Sequence, residues 1–175
     1  RTEDRIENRI ENRKRKKKKM AQEKIQINNQ QKKKILTATL RQKAKLILNA
    51  LDYKQHELSI LICDDHYIRE LNRNYRGVDK ATNVLSFPMQ EGIPDKEAQN
   101  VEPYPTLLGD VVISGDTAQR EADEAGISLS ERMSQLLIHG ILHLVGYDHE
   151  KSEKDKQDMD DKSLELLEIL EPGKE

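Results

Sequence analysis

Apolar positions along the chain fall into two rhythms, and each rhythm predicts an element. Ile25 and Ile27 alternate with polar neighbours, which predicts a short strand over 23–28. Over 31–51 the period lengthens: Ile35, Leu36, Leu40, Ile47, Leu48 and Leu51 recur at helical spacing with Lys and Arg on the other face. The unbroken run ELSILIC at 57–63 predicts a buried strand. Asp64 and Asp65 then supply capping chemistry for a helix through about Tyr75. Val84, Leu85 and Phe87 predict a third strand, stopped by Pro88, and the polar, Pro-containing stretch from Met89 to Thr106 reads as a long loop. LLGDVVIS at 107–114 predicts a fourth strand, followed by a helix that Asp116 would cap and that ends near Gly126. Ser128 and Glu131 have capping-box spacing and open a helix running through Leu136, Leu137, Ile138 and Leu142. A last helix starts near Ser152, carries Leu164, Leu167 and Leu170, and stops before Pro172 and Gly173. Helices interspersed with about four strands predict an α+β or α/β domain with a small sheet.

Composition changes this picture at one end. Hydrophobic and charged residues each make up 35% of the 175 residues, with no Trp and one Phe, a low apolar fraction that points to an unfolded portion. Residues 1–19 are the candidate: RIEN occurs twice in tandem, then seven consecutive basic residues follow, and only Ile6 and Ile10 are apolar. The expected organisation is a basic, low-complexity, disordered extension over 1–19 and one domain over 20–175, with Met20 a candidate start. No apolar run approaches the ~20 residues of a spanning helix. A lone cysteine, Cys63, excludes an internal disulfide and a Cys-rich zinc cluster, and suits a cytoplasmic location. Cys63 is expected to be a small buried side chain.

The net charge of −2 conceals a split. Residues 1–45 hold 17 basic and 5 acidic residues, whereas residues 46–175 hold 13 and 27. A basic arm on an acidic body points to contact with a polyanion such as nucleic acid, and a solvated basic tail accounts for it equally well.

The candidate chemistry is a cluster of histidines. His139, His143 and His149 fall within the segment HGILHLVGYDH. His139 and His143, four apart, share one face of a helix and can reach a single ion. Were the helix to continue, His149 would lie ~9 Å further along the axis and ~120° round from His143. Three rings must converge for metal–nitrogen bonds of ~2.0–2.1 Å, so the chain has to turn sharply, and Gly146 sits where a positive φ is needed. Three imidazoles without a fourth protein ligand fit a catalytic zinc with one open position; nickel or another divalent ion would also accept them. Asp148 is a candidate for orienting a ligand ring, or a solvated loop residue. The spacing matches the metzincin zinc-protease pattern, but Gly140 stands where the general-base Glu would be, which disfavours peptidase chemistry.

This segment, with YRGVDKATNVLSFP at 75–88 and LLGDVVIS at 107–114, resembles the YbeY endoribonucleases, or rRNA maturation factors, over roughly 20–171. The resemblance implies a mixed, mostly four-stranded sheet backing the metal helix. It implies a metal-dependent hydrolase that cleaves single-stranded RNA in 16S rRNA 3′-end maturation and ribosome quality control, with the small ribosomal subunit as partner. The family's metal ligands carry over onto His139, His143 and His149, and its functional arginine onto Arg76, with Arg73 a second candidate. From the residues alone, Arg76 serves equally well to cap its helix or to pair with Asp79. A metal ion and a guanidinium together suit phosphodiester hydrolysis, which builds negative charge on phosphoryl oxygens. The rivals are a metallopeptidase and a non-catalytic ribosome assembly factor with a structural metal. Against the acidic body, positive charge in the cleft would come from the metal, Arg76, and locally from Arg73 and Lys80. Affinity for the ribosome would draw either on contacts with its associated proteins or on the basic helix bearing Lys32, Lys33, Lys34, Arg41, Lys43 and Lys45. His56 and His66 are expected to be solvated, without a role.

Overall fold

A computed structural model describes residues 24–31, 35, 37–89 and 107–173. The basic extension and nearly all of the loop expected over 89–106 lie outside the described residues. Strands β1 (Ile25–Asn29), β2 (Glu57–Cys63), β3 (Val84–Pro88) and β4 (Leu107–Ser114) form one sheet in the order β1-β2-β4-β3. β1, β2 and β4 run parallel, and β3 closes the edge antiparallel to β4. Five helices accompany them: α1 (Thr37–Ala50), α2 (Asp65–Arg76), α3 (Gly115–Ala125), α4 (Leu129–Leu144) and α5 (Glu153–Leu170). The fold is α+β with a small mixed sheet.

The period-2 alternation of β2 and β4 sorts their side chains between two layers. Leu58, Ile60, Ile62, Val111 and Ile113 join the main core beneath α1 and α4, each at most 1% exposed. On the opposite face Cys63, Val112 and Leu85 meet Ile68 of α2. α4 is the most buried helix, with Leu136, Leu137, Ile138, Ile141 and Leu142 all inside. Burying each such aliphatic side chain contributes roughly 1.5–3 kcal/mol, so α4 is held by the core and not by helix propensity. That anchoring is what gives its histidines a fixed position.

Three expectations need correction. α1 begins at Thr37; Ile35 and Leu51 lie outside the helix yet pack on the core. Ser114, not Asp116, caps α3: its backbone is already extended as the last residue of β4, and its hydroxyl accepts from Thr117 N at 3.1 Å. Leu164 is 62% exposed, because the buried stripe of α5 runs Met159, Leu166, Leu170, and a position two residues from Leu166 points away from it. Cys63 is buried as expected, and burial followed by Asp64, Asp116 and Asp65 pushes its thiol up to about 12.

Candidate metal centre

The last turn of α4 shows why this segment folds as it does. Tyr147 N donates to Leu142 O at 3.0 Å and Gly146 N to His143 O at 3.2 Å, the paired bonds of a Schellman stop with Gly146 at φ +99°. A side chain there would be strained, so the glycine allows the reversal. The loop is then fixed by Asp148, whose carboxylate accepts from Glu150 N at 2.9 Å and lies 3.8 Å from Lys151 Nζ. Asp148 thus tethers the loop carrying His149, and no hydrogen bond joins it to a ligand ring.

These turns bring the three half-buried histidines together. The ring centroids lie 4.6 Å apart for His139 and His143, 5.3 Å for His139 and His149, and 5.1 Å for His143 and His149. One nitrogen from each falls within 4.8 Å of the other two. The Nε2 atoms of His139 and His143 are 3.1 Å apart. Tetrahedral bonds of ~2.0–2.1 Å to one ion would set such atoms about 3.3 Å apart, so the pair is spaced as neighbouring ligands are. Burial, then the positive fields of His143, His149 and Arg132, hold His139 down at about 4, and burial followed by His149 lowers His143. Both imidazoles are therefore neutral at pH 7, the form that binds metal.

The three rings open on a cavity of about 470 Å³ that Arg76 also lines. Arg76 arrives there because α2 stops at Gly77, left-handed at φ +70°, and because Tyr75 packs edge-on against Phe87 of β3 at 5.1 Å. The rival partner is taken: Asp79 accepts from Arg69 at 2.8 and 3.0 Å. Arg76 makes no hydrogen bond or ion pair among the described residues. Arg73 and Lys80 do not line the cavity, whereas Lys151 does, together with Asn83, Ser86 and Glu150. Asn83 and Ser86 sit inside the TNVLSFP block, so their proximity to the site was visible as a motif but not as a contact. Tyr147 lines the cavity while packing on the core.

Gly140 acquires a structural reason. A Cβ at this position would lie 2.6 Å from Val111 Cγ1 and 3.3 Å from Val84 Cγ2, and its carbonyl accepts from Ser86 Oγ at 2.8 Å. The position of the protease base faces the sheet at a close helix–strand crossing, where a Glu side chain has no room.

Among the described residues no helix is long and apolar enough to cross a membrane. A family model described as Endoribonuclease YbeY matches residues 14–171. A protein of that name from Geobacter sulfurreducens is 49% identical over 152 residues, covering 86% of this chain and 97% of its own. One from Aquifex aeolicus is 47% identical over 126 residues, covering 72% of this chain and 78% of its own. The solution structure of TM1509 from Thermotoga maritima matches with a TM-score of 0.59 and 26% identity over 86% of this chain and 99% of that one. A family model matched over residues 14–171, with relatives 47–49% identical along most of the domain, means that the chain belongs to the YbeY endoribonuclease family.

Proposed function

We propose that this protein is a metal-dependent endoribonuclease that cleaves single-stranded RNA, with His139, His143 and His149 as the metal ligands and Arg76 as the phosphate clamp. The observation that carries the reading is the shared cavity: three imidazoles and a guanidinium that has no partner among the described residues line the same space. Three imidazoles favour zinc, with nickel as an acceptable substitute. The bound ion would supply Lewis acidity and positive charge against the phosphoryl oxygens. Arg76 offers two parallel N–H donors that match two phosphate oxygens and strengthen as charge develops on them. The buried flank of α4 keeps the rings oriented, so little reorganisation remains for the reaction itself. Gly140 offers no carboxylate at the position of the protease base, which counts against peptide hydrolysis. The biological setting implied by the family is 16S rRNA 3′-end maturation and ribosome quality control on the small subunit, in the cytoplasm.

The test compares metal-loaded wild type, His143→Ala and Arg76→Ala on single-stranded RNA, with a denatured peptide alongside. Arg76→Ala is expected to keep its metal and lose cleavage, and the peptide to stay intact. Cleavage that survives in both variants would overturn the reading.

A further inference from the structure

The basic surface expected along α1 is partly spent inside the fold. Lys43 donates to Ser134 Oγ at 2.7 Å and to Glu171 Oε1 at 2.5 Å, and His56, expected to be solvated, is half-buried with its ring edge-on to Tyr53 at 4.9 Å. The cleft around the histidines, in contrast, extends beyond the metal centre. A second cavity of about 560 Å³ runs between α4, α5 and the start of β3, and it shares His139, Asn83 and Val84 with the first. Val84, Leu136, Leu164 and Leu167 give it an apolar wall. The exposure of Leu164 has its reason here. Asp160, Leu164 and Leu167, at i, i+4 and i+7, form a second stripe of α5 beside the buried one, and this stripe faces the histidine side.

The polar groups of this second cavity are sorted by what they already hold. Arg132 donates through Nε to Glu121 Oε2 at 2.9 Å and through Nη1 to Gln135 Oε1 at 2.6 Å, and Asn83 Nδ2 donates to Glu121 Oε1 at 3.1 Å. The positive charge in the lining is thus answered from α3. Gln135 keeps its amide N–H group as a donor. The Asp160 carboxylate has no hydrogen bond or ion pair among the described residues, and it lies close enough for its field to act on His139. A phosphate here would meet the charge of Asp160 with Arg132 already engaged. A nucleobase brings what the wall can use: two apolar faces and an edge of N–H and C=O groups. The volume falls within the range of small-molecule sites, with an apolar lining and few polar groups. The two cavities therefore differ as the two ends of a nucleotide do, one offering Arg76 and the metal ligands and the other leucines and an acceptor.

We propose that the cavity between α4 and α5 is a nucleobase subsite, in which a base beside the scissile phosphate lies against Leu164 and Leu167 and offers an amino group to Asp160. The choice of RNA rests on the function proposed above. Because His139 lines both cavities, the base and the phosphate belong to the same or to adjoining nucleotides. A carboxylate only accepts, so the site favours guanine, adenine and cytosine, which carry exocyclic amino groups, over uracil, whose carbonyl oxygens would face its charge.

The test uses the metal-loaded full chain and a set of short single-stranded RNAs identical but for the bases flanking the cleavage point. Cleavage kinetics and direct binding are measured for wild type, Leu164→Ala, Asp160→Asn and Ile169→Ala; Ile169 is exposed on α5 and lies outside the cavity. Leu164→Ala should raise KM about tenfold with kcat retained. It should weaken binding by the same factor at low and at high salt, as the loss of an apolar contact requires and the loss of a phosphate contact does not. Wild type should favour an amino-bearing base over uracil by about tenfold at one flanking position, and Asp160→Asn should flatten that preference. Ile169→Ala should match wild type. Unchanged KM and binding in Leu164→Ala, an equal loss in Ile169→Ala, or a base preference that survives Asp160→Asn overturns the proposal. Wild type that binds these RNAs through Leu164 and cleaves none of them sinks the nuclease and leaves the subsite standing. Cleavage by wild type that Leu164→Ala leaves untouched does the reverse.

Discussion

Two polar clusters sit at different ends of the same core, and their contrast separates structure from chemistry. In open α/β sheets, ligands favour the crevice beyond the carboxyl ends of parallel strands. Here that region, where β2 and β4 hand over to α2 and α3, is occupied by the protein's own groups. The Asp65 carboxylate accepts from Ser114 Oγ and Thr117 Oγ1, each at 2.6 Å, and from Arg120 at 2.8 Å. Asp116 accepts from Asp65 N at 3.2 Å, and Gln31 Nε2 donates to Cys63 O at 2.9 Å. A carboxylate this well supplied has little capacity left for a ligand. The histidine cluster is the reverse: its rings face one another and an open cavity, and Arg76 beside them has no partner among the described residues. Polar groups paired with each other hold the fold, whereas groups left unpaired in a cavity are available to substrate.

The sharpest way to break the contrast is to remove one member of the unpaired set. His143→Ala should cut bound metal from one per chain to near zero and reduce RNA cleavage to background, while the urea midpoint of the metal-free proteins stays close. Metal analysis beside unfolding curves checks both halves. A comparable loss of metal-free stability would mean that the histidines are structural after all. Arg76→Ala is expected to cost about 10²–10³ in kcat, the usual penalty for removing one transition-state donor, with metal content unchanged. Arg76→Lys should restore only part, since an ammonium cannot reproduce the two-pronged contact.

Gly140→Ala probes the packing that supports the site. The added methyl would sit 2.6 Å from Val111 Cγ1, against ~3.5–4.0 Å for comfortable carbon contact, and a β-branched neighbour has few rotamers to escape into. Overpacking of about 1–3 kcal/mol then outweighs the ~1 kcal/mol that alanine gains over glycine in a helix. A lower urea midpoint is expected, largely recovered in the Gly140→Ala/Val111→Ala double variant. Unchanged stability would remove the packing explanation for Gly140.

How much of this was legible beforehand depended on whether the signal was local. The four strands, the stop at Gly146 and the convergence of the histidines all follow from short-range spacing, and each is present in the structure. The cap of α3 was misassigned because Ser114 and Asp116 are both competent cap residues. Only the extended end of β4 distinguishes them. Leu164 failed for a similar reason, since the real stripe through Met159, Leu166 and Leu170 is settled by what α5 packs against. The competition for Asp79 between Arg69 and Arg76, the burial of His56 and the pairing of Lys43 with Glu171 were out of reach, because each depends on contacts between separate elements.

Asp65→Asn tests the paired cluster and carries the smallest expected effect. Burial raises the Asp65 pKa, but hydrogen bonds from Ser114, Thr117 and Arg120 together outweigh it and leave the carboxyl below its ordinary value. A group depressed in the folded state contributes stability that is complete above its unfolded pKa of ~3.9 and lost as pH falls through the folded value. Arg120 is largely exposed, so its share is screened, and the two hydroxyl bonds should dominate a total of about 1–2 kcal/mol. The variant should therefore unfold at lower urea than wild type at pH 7, and the gap should close progressively below about pH 4. Its RNA cleavage and metal content at pH 7 should match wild type. A stability gap of the same size at pH 3 as at pH 7 would show that the charge of Asp65 is not what the cluster uses. Lost cleavage with metal retained would show that the carboxyl-end crevice takes part in chemistry, and the division drawn between the two clusters would fail.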